Sequence, residues 1–354
     1  MLAQTMRAAR FHAATRTLAI ESIPVPEPGR IDVRVRVDAC GICGSDLSLV
    51  AGHLAPSLDV VTPGHEAAGT IDAVGADVPP DWTVGRRVVL APGRACGECR
   101  ACRRGAQLGC EHPQILGFDR DGGFAEFVVV PFHALVAIPD QLPAEQWAVL
   151  ADAVSTPYAA LVDTGEMRPA DAVGIWGIGG LGVHAVQVAR ALGAAPIVAV
   201  DPRPSARARA LALGADVALD PADPAFAEQM RAASGGDGLT IALDIVGSTS
   251  TIQQSLASIG RDGRVVVVGV TGDALTLGSV GKFVVRGRDL RGHLGYQRRH
   301  LEQLVRLVEC GRLSFRDSIS GIVTLDELGA AIDRLRSRVA DEVRVFVRPA
   351  ASEQ

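Results

Sequence analysis

"GIWGIGGLGVHAVQVARALGA", residues 174–194, decides how this chain is read. Gly177, Gly179 and Gly182 stand in G-x-G-x-x-G register, directly after an apolar strand-like run and at the head of a helical stretch. Glycine-rich turns are common, so the spacing alone says little; the strand–turn–helix setting gives it meaning. Gly177 permits a tight turn, Gly179 lets backbone approach a pyrophosphate, and Gly182 allows close helix–strand packing. The helix start then offers unpaired N–H groups and the positive end of its dipole to phosphates. The next apolar run, "PIVAVD", ends at Asp201, nineteen residues beyond Gly182. A carboxylate there accepts hydrogen bonds from the adenosine ribose hydroxyls and repels a 2′-phosphate, which favours NAD over NADP. The competing readings are that Asp201 merely caps the next helix and that Arg203, two residues on, accommodates a 2′-phosphate.

The same style extends outward from about residue 155 to 290. Short, fully apolar strands alternate with Ala/Leu/Arg-rich helical segments, through "SARARALALG", "LTIALDIVG" and "RVVVVGV". Such alternation predicts a parallel sheet built from βαβ units, with "RVVVVGV" (264–270) as its last strand. Before residue 150 the chain is β-rich instead. "IDVRVRV" (31–37) alternates strictly, and "RRVVLAP" (86–92) and "GGFAEFVVVP" (122–131) follow between Gly- and Pro-rich turns. From Met6 the pattern suits one opening strand, with residues 1–5 as a short extension. The end adds an amphipathic helix, "RRHLEQLVRLVECG", and a strand-like "EVRVFVRP".

A length of 354 residues suits two domains, and 48% hydrophobic against 21% charged residues predicts packed cores rather than disorder. The net charge of −5 gives no basic excess for nucleic acid. The longest apolar strings, such as "VVVVGV" (265–270), have strand length, so no membrane span is expected. Seven cysteines without a secretion signal point to a reducing, cytoplasmic setting.

Four of those cysteines, Cys96, Cys99, Cys102 and Cys110, lie in "ACGECRACRRGAQLGCE" (95–111). Thiolates at C-x2-C-x2-C-x7-C spacing can wrap one tetrahedral ion. An iron–sulfur run would continue with a shorter gap and a proline, and a zinc ribbon would use two separated pairs, so zinc is the preferred reading. Four protein ligands leave no open position, which makes this zinc structural.

Chemistry must then come from "ACGICGSD" (39–46) and "TPGHEAAG" (62–69), which carry Cys43, Ser45, Asp46, His65 and Glu66. Taken singly, a buried Cys or His is usually a core residue. Together with the four-cysteine loop, "GIGGLG" and Asp201, in this order, they resemble the zinc-dependent medium-chain dehydrogenase/reductase (alcohol dehydrogenase) family over essentially the whole chain. The resemblance implies an α/β protein: a GroES-like β-rich catalytic domain, residues 1–153 completed by 293–354, plus a Rossmann doubly wound parallel-sheet cofactor domain, residues 154–292. It implies NAD and two zinc ions per chain, one catalytic and one structural. Cys43 and His65 would ligate the catalytic zinc, and Cys40 would not. Asp152, in "LADAVSTPY", stands where many members place a third cysteine; one thiolate and one carboxylate still neutralise Zn²⁺. A surface or helix-capping Asp is the alternative there. Glu66 would lie behind the metal and exchange onto it, Asp46 would orient His65, and Ser45 would pass on the substrate proton. Thr156, Val268, Gly269 and Val270 match positions on the nicotinamide half, with Gly180, Leu181 and Val246 as further cofactor-lining positions.

The expected activity is interconversion of a small alcohol, secondary or polyol-like, and its carbonyl compound, by a homodimer or homotetramer without nucleic-acid or membrane partners. Departures from the family pattern are Ser48 where many members have a relay histidine (His53 is a substitute), Gly44 at an often basic position, and Arg344 as a weakly supported cofactor contact. A biosynthetic reductase of a C=N or activated C=C bond remains an alternative, as does a non-catalytic dinucleotide-binding protein. Retention of Cys43, Asp46, His65, Glu66 and Asp152 together argues against the last.

Overall fold

A computed structural model describes residues 4–105, 109–277, 279–337 and 341–350. The chain divides into two compact units, Met1–Ala153 with Tyr296–Gln354, and Val154–Gly295.

The first unit opens with strands β1 (Thr5–His12) and β2 (Thr17–Pro24), paired antiparallel from Thr5↔Pro24 to His12↔Thr17. The alternating stretch from Met6 is thus a hairpin rather than one strand, and residues 1–3 of the expected extension lie outside the described residues. Strand β3 (Asp32–Gly41) buries Val33, Val35 and Val37 completely on one face, as its alternation requires. Strands β4 (Val60–Val61), β5 (Glu66–Val74), β6 (Arg87–Leu90), β7 (Gly93–Arg94), β8 (Gln114–Ile115), β9 (Phe127–Pro131) and β10 (Leu135–Ala137) follow.

The second unit is a parallel sheet of β11 (Val173–Trp176), β12 (Ile197–Val200), β13 (Val217–Leu219), β14 (Leu239–Asp244), β15 (Ile259–Val267) and β16 (Asp289–Gly292), in the order β13-β12-β11-β14-β15-β16. Every residue of β11 and β12 is buried, as expected where both faces are covered. The order reverses between β11 and β14, and doubly wound sheets bind ligands at the carboxyl ends beside such a switch. "RVVVVGV" is not the outermost strand: β16 lies beyond it. Its sequence, "DLRG", lacks an apolar run because it sits at the sheet edge, where Arg264 and Arg291 both pair with Asp289 at 2.9 Å.

The chain then returns to the first unit. Helix Arg298–Glu309 buries Leu301, Leu304, Val305 and Val308, and strands β17 (Ile319–Thr324) and β18 (Arg344–Arg348) complete the large sheet, ordered β10-β6-β5-β3-β18-β17 with β9 also on β3. Its core gathers Val33, Val35, Leu90, Phe124, Leu135 and Val345. No helix among the described residues is long and apolar enough to cross a membrane.

Candidate active site

Strand pairing explains how two distant motifs meet. β3 and β5 run antiparallel with Gly41 opposite Glu66. Cys43, two residues past the end of one strand, therefore faces His65, one residue before the start of the other. Gly41 is required at this crossing: a Cβ there would come within 2.2 Å of the Glu66 carboxylate and 2.9 Å of Arg344. Cys43 caps helix Gly44–Ala51, its N–H donating to the Asp46 carboxylate at 2.9 Å. Asp152, after the short turn Val149–Ala151, brings its Oδ2 to 3.5 Å from Cys43 Sγ and 3.6 Å from His65 Nε2. One ligand atom from each of Cys43, His65, Glu66 and Asp152 lies within 4.8 Å of the others. A thiol, an imidazole and carboxylates converging at this range make a donor set suited to a zinc ion.

The surroundings orient these groups. Asp46, 1% exposed, holds Oδ1 3.7 Å from His65 Nδ1, on the side of the ring away from Asp152. Burial disfavours an imidazolium there, but the Asp46 charge and the nearby Asp152 and Cys43 side chains outweigh it and hold His65 well above its ordinary pKa. Ser45 Oγ is 3.4 Å from His65 Nε2, so the hydroxyl borders the same space. Ser48 follows one turn along the helix, while His53 is exposed in the turn beyond it. The Cys40 thiol is fully buried outside the cluster, and burial pushes its pKa well up.

Phe118, and the partner of Arg344, escaped sequence reading. Phe118 packs on His65 with ring centroids 6.0 Å apart. Arg344, weakly supported as a cofactor contact from the sequence, is 2% exposed on β18 with its guanidinium against the Glu66 carboxylate. A carboxylate with no exposure needs such a counter-charge. Only the pairing of β18 with β3 reveals this, since "EVRVFV" does not say which strand it joins.

The four cysteines of 95–111 form a separate group in which one ligand atom from each lies within 4.8 Å of the rest. Backbone amides point at the sulfurs: Cys96 N–H at Cys110 Sγ (3.2 Å), Cys99 N–H at Cys96 Sγ (3.4 Å) and Cys102 N–H at Cys99 Sγ (3.5 Å). The Glu111 and Cys102 amides bring Cys99 down to about 6, which favours thiolate. All seven cysteines are free of disulfides.

In the second unit, β11 turns at Gly177, whose φ of +88° only glycine adopts readily. A Cβ on Gly182 would sit 1.9 Å from the Gly177 carbonyl oxygen, so the helix Gly182–Ala191 packs as closely as the motif demands. A Cβ on Gly179 would meet nothing within 4 Å, leaving open space over that backbone. This cradle fits a pyrophosphate, with Gly180 and Leu181 completing the turn. Asp201 directly follows β12 and accepts from the Ile178 N–H at 2.8 Å. Val246 lies against Gly177, while Gly247 and Gly269 pack backbone to backbone, and Val268 is buried where Val270 is exposed. Asp244, which the motifs did not single out, fixes this rim by accepting from the Val246 and Gly247 amides at 2.9 and 2.8 Å. Thr156 is buried in helix Ser155–Ala159.

Residues 29–140 match the model of the alcohol dehydrogenase GroES-like domain, and residues 180–309 that of the zinc-binding dehydrogenase domain. Sorbitol dehydrogenase of Bacillus subtilis is 34% identical over 271 residues, covering 75% of this chain and 76% of that protein. An alcohol dehydrogenase of Geobacillus stearothermophilus is 32% identical over 333 residues, 93% of this chain and 96% of the relative. The crystal structure of a zinc-binding dehydrogenase from Sinorhizobium meliloti, bound to NADP, superposes with a TM-score of 0.88 at 29% identity, covering 98% of this chain and all of that one. On the two matched domains and these full-length similarities, the chain belongs to the zinc-dependent alcohol dehydrogenase family of medium-chain dehydrogenases.

Proposed function

We propose that the protein interconverts an alcohol, secondary or polyol-like, and its carbonyl compound, with NAD as the hydride acceptor and donor. The observation that carries this reading is the convergence of Cys43 and His65 on Asp152, whose Oδ2 lies 3.5 Å from Cys43 Sγ and 3.6 Å from His65 Nε2. These three would hold the catalytic zinc, and Glu66 is a further donor on the Arg344 side. A zinc ion with an open position polarises a substrate oxygen and lowers its pKa. Asp46 holds the His65 ring in orientation, and Ser45 binds the substrate hydroxyl and moves its proton onward. The glycine turn from Gly177 to Gly182 holds the pyrophosphate, and Val246, Val268, Gly269, Val270 and Thr156 line the nicotinamide half. Cys96, Cys99, Cys102 and Cys110 hold a structural zinc. With its thiols reduced for ligation, the protein belongs in the cytoplasm.

Secondary alcohols and polyols deuterated at the carbinol carbon, incubated with NAD, test the reading. Deuterium is expected in the NADH; its absence for every alcohol tried, with NAD still bound, would sink it.

The working form in this reading is a homo-oligomer. β16 leaves a sheet edge, and residues 270–294 expose Val270, Leu275, Val280, Val284, Val285 and Leu294. So much exposed aliphatic surface in one segment marks an interface. Sedimentation at micromolar concentration should give a dimer or tetramer, and Val284→Glu with Val285→Glu should yield smaller species. A wild-type monomer would refute this assignment.

A further inference from the structure

A groove of about 500 Å³ opens in the first unit, between the turn at residues 79–86, the edge strand β10 and the helix Arg298–Glu309. It shares no lining residue with the Cys43 cluster, the four-cysteine group or the glycine turn. One wall follows from sequence spacing. Arg298, Glu302, Val305 and Glu309 stand at i, i+4, i+7 and i+11, a single stripe of the helix. Trp82 faces that stripe, its ring centroid 5.3 Å from the guanidinium carbon of Arg86 and 5.9 Å from that of Arg298.

The charges in the groove are balanced in number but incompletely paired. Arg86, Arg298 and Arg306 line it together with Asp81, Glu302 and Glu309. Arg86 donates to the Asp81 backbone carbonyl, which leaves its charge without a carboxylate partner. Arg306, Asp81 and Glu309 form no ion pair among the described residues. Arg298 Nε lies 3.0 Å from Glu302 Oε1, but the two are misaligned, and the buried Nε–H has no hydrogen-bond acceptor. A buried donor left unpaired is costly, so this N–H favours a ligand that brings an oxygen to it. Both side chains of the pair are more than a third exposed, so the pair opens readily.

We infer that the groove binds an α-amino acid with a large apolar side chain, its carboxylate on Arg298 and its ammonium on Glu302. Equal numbers of fixed cations and anions give no net pull on an anion or a cation alone; a ligand carrying both signs is the one they match. Because Arg298 Nε and Glu302 Oε1 are 3.0 Å apart, the ligand's two charges must lie equally close together. They do so on the single α-carbon of an amino acid. The carboxylate supplies the acceptor that Nε lacks, and guanidinium–carboxylate pairing is of the strong, charge-assisted kind. Trp82, Pro79, Val136 and Val305 offer the side chain an apolar surface.

Binding can be read from the fluorescence of half-buried Trp82, because Trp147 and Trp176 are only 1% and 0% exposed. L-Phenylalanine is titrated into the zinc-loaded protein at fixed ionic strength. Beside it are run N-acetyl-L-phenylalanine, which keeps only the carboxylate, and L-phenylalanine amide, which keeps only the ammonium. The free amino acid should give a saturable change, and each single-charge analogue should bind about tenfold more weakly or worse. Arg298→Ala and Glu302→Gln should each weaken L-phenylalanine by a similar factor, and Trp82→Phe should remove the signal. The absence of a saturable change, equal binding of the three probes, or wild-type affinity in Arg298→Ala would overturn the inference. So would a signal that persists in Trp82→Phe, which would place the ligand elsewhere. The comparison of analogues needs wild type alone, so it decides the matter whatever the stability of the variants.

Discussion

Cys43→Ser is expected to cost about a thousandfold or more in turnover and to remove one zinc per chain, with the fold retained. The thiol converges with His65 and Asp152, whose Oδ2 lies 3.5 Å from Cys43 Sγ and 3.6 Å from His65 Nε2. Serine fills nearly the same volume but replaces a soft anionic ligand by a neutral hydroxyl, leaving His65 and Asp152 to hold the ion alone. The helix cap survives, because it is the Cys43 backbone N–H that donates to Asp46. A purely structural Cys43, only 6% exposed, would behave differently. Serine would then lower stability slightly and leave metal content and turnover unchanged. Zinc analysis and steady-state rates on the same preparation separate the two cases.

Cys99→Ser should do the reverse, destabilising the protein before it affects chemistry. The helix Arg100–Arg103, which carries Cys102 and is capped by Cys99, is four residues long and buries none of its residues. Residues 95–105 and 109–111 are half-exposed or exposed, so apolar packing contributes little to holding them. Most of its folding energy must then come from the metal, as in other small metal-held loops. Losing one of four thiolates is expected to cost several kcal/mol and to lower the unfolding midpoint by roughly 10 °C. The segment should also become the first site of proteolytic cleavage, while the zinc at Cys43 is kept. A variant that unfolds with the wild type and still carries two zinc ions would contradict the structural role.

What was legible in the sequence was what is local. The glycine turn is visible because its three glycines lie within six residues of one another, and the structure shows the positive φ of Gly177 and the close approach of Gly182 to the Gly177 carbonyl. The four-cysteine group is visible because its ligands lie inside one loop. Cys43 and His65 could be paired only through family resemblance, since their meeting depends on Gly41 lying opposite Glu66 across two strands. The partner of Arg344 was hidden for the same reason: 278 residues separate it from Glu66, and a register that no short pattern encodes joins them. β16 was missed because an edge strand needs no apolar run. Arg203 Nε donates to Asp201 at 3.1 Å, a contact local in sequence yet invisible there, because it depends on which way a long side chain turns.

The most direct test of the whole account is to strip the accessible zinc with a chelator and return it stepwise while following NADH formation from a secondary alcohol. The account predicts that turnover vanishes when the first ion per chain is lost and returns with one equivalent of zinc, with thermal unfolding unchanged throughout. Full turnover in protein that holds only the ion bound by Cys96, Cys99, Cys102 and Cys110 would contradict it.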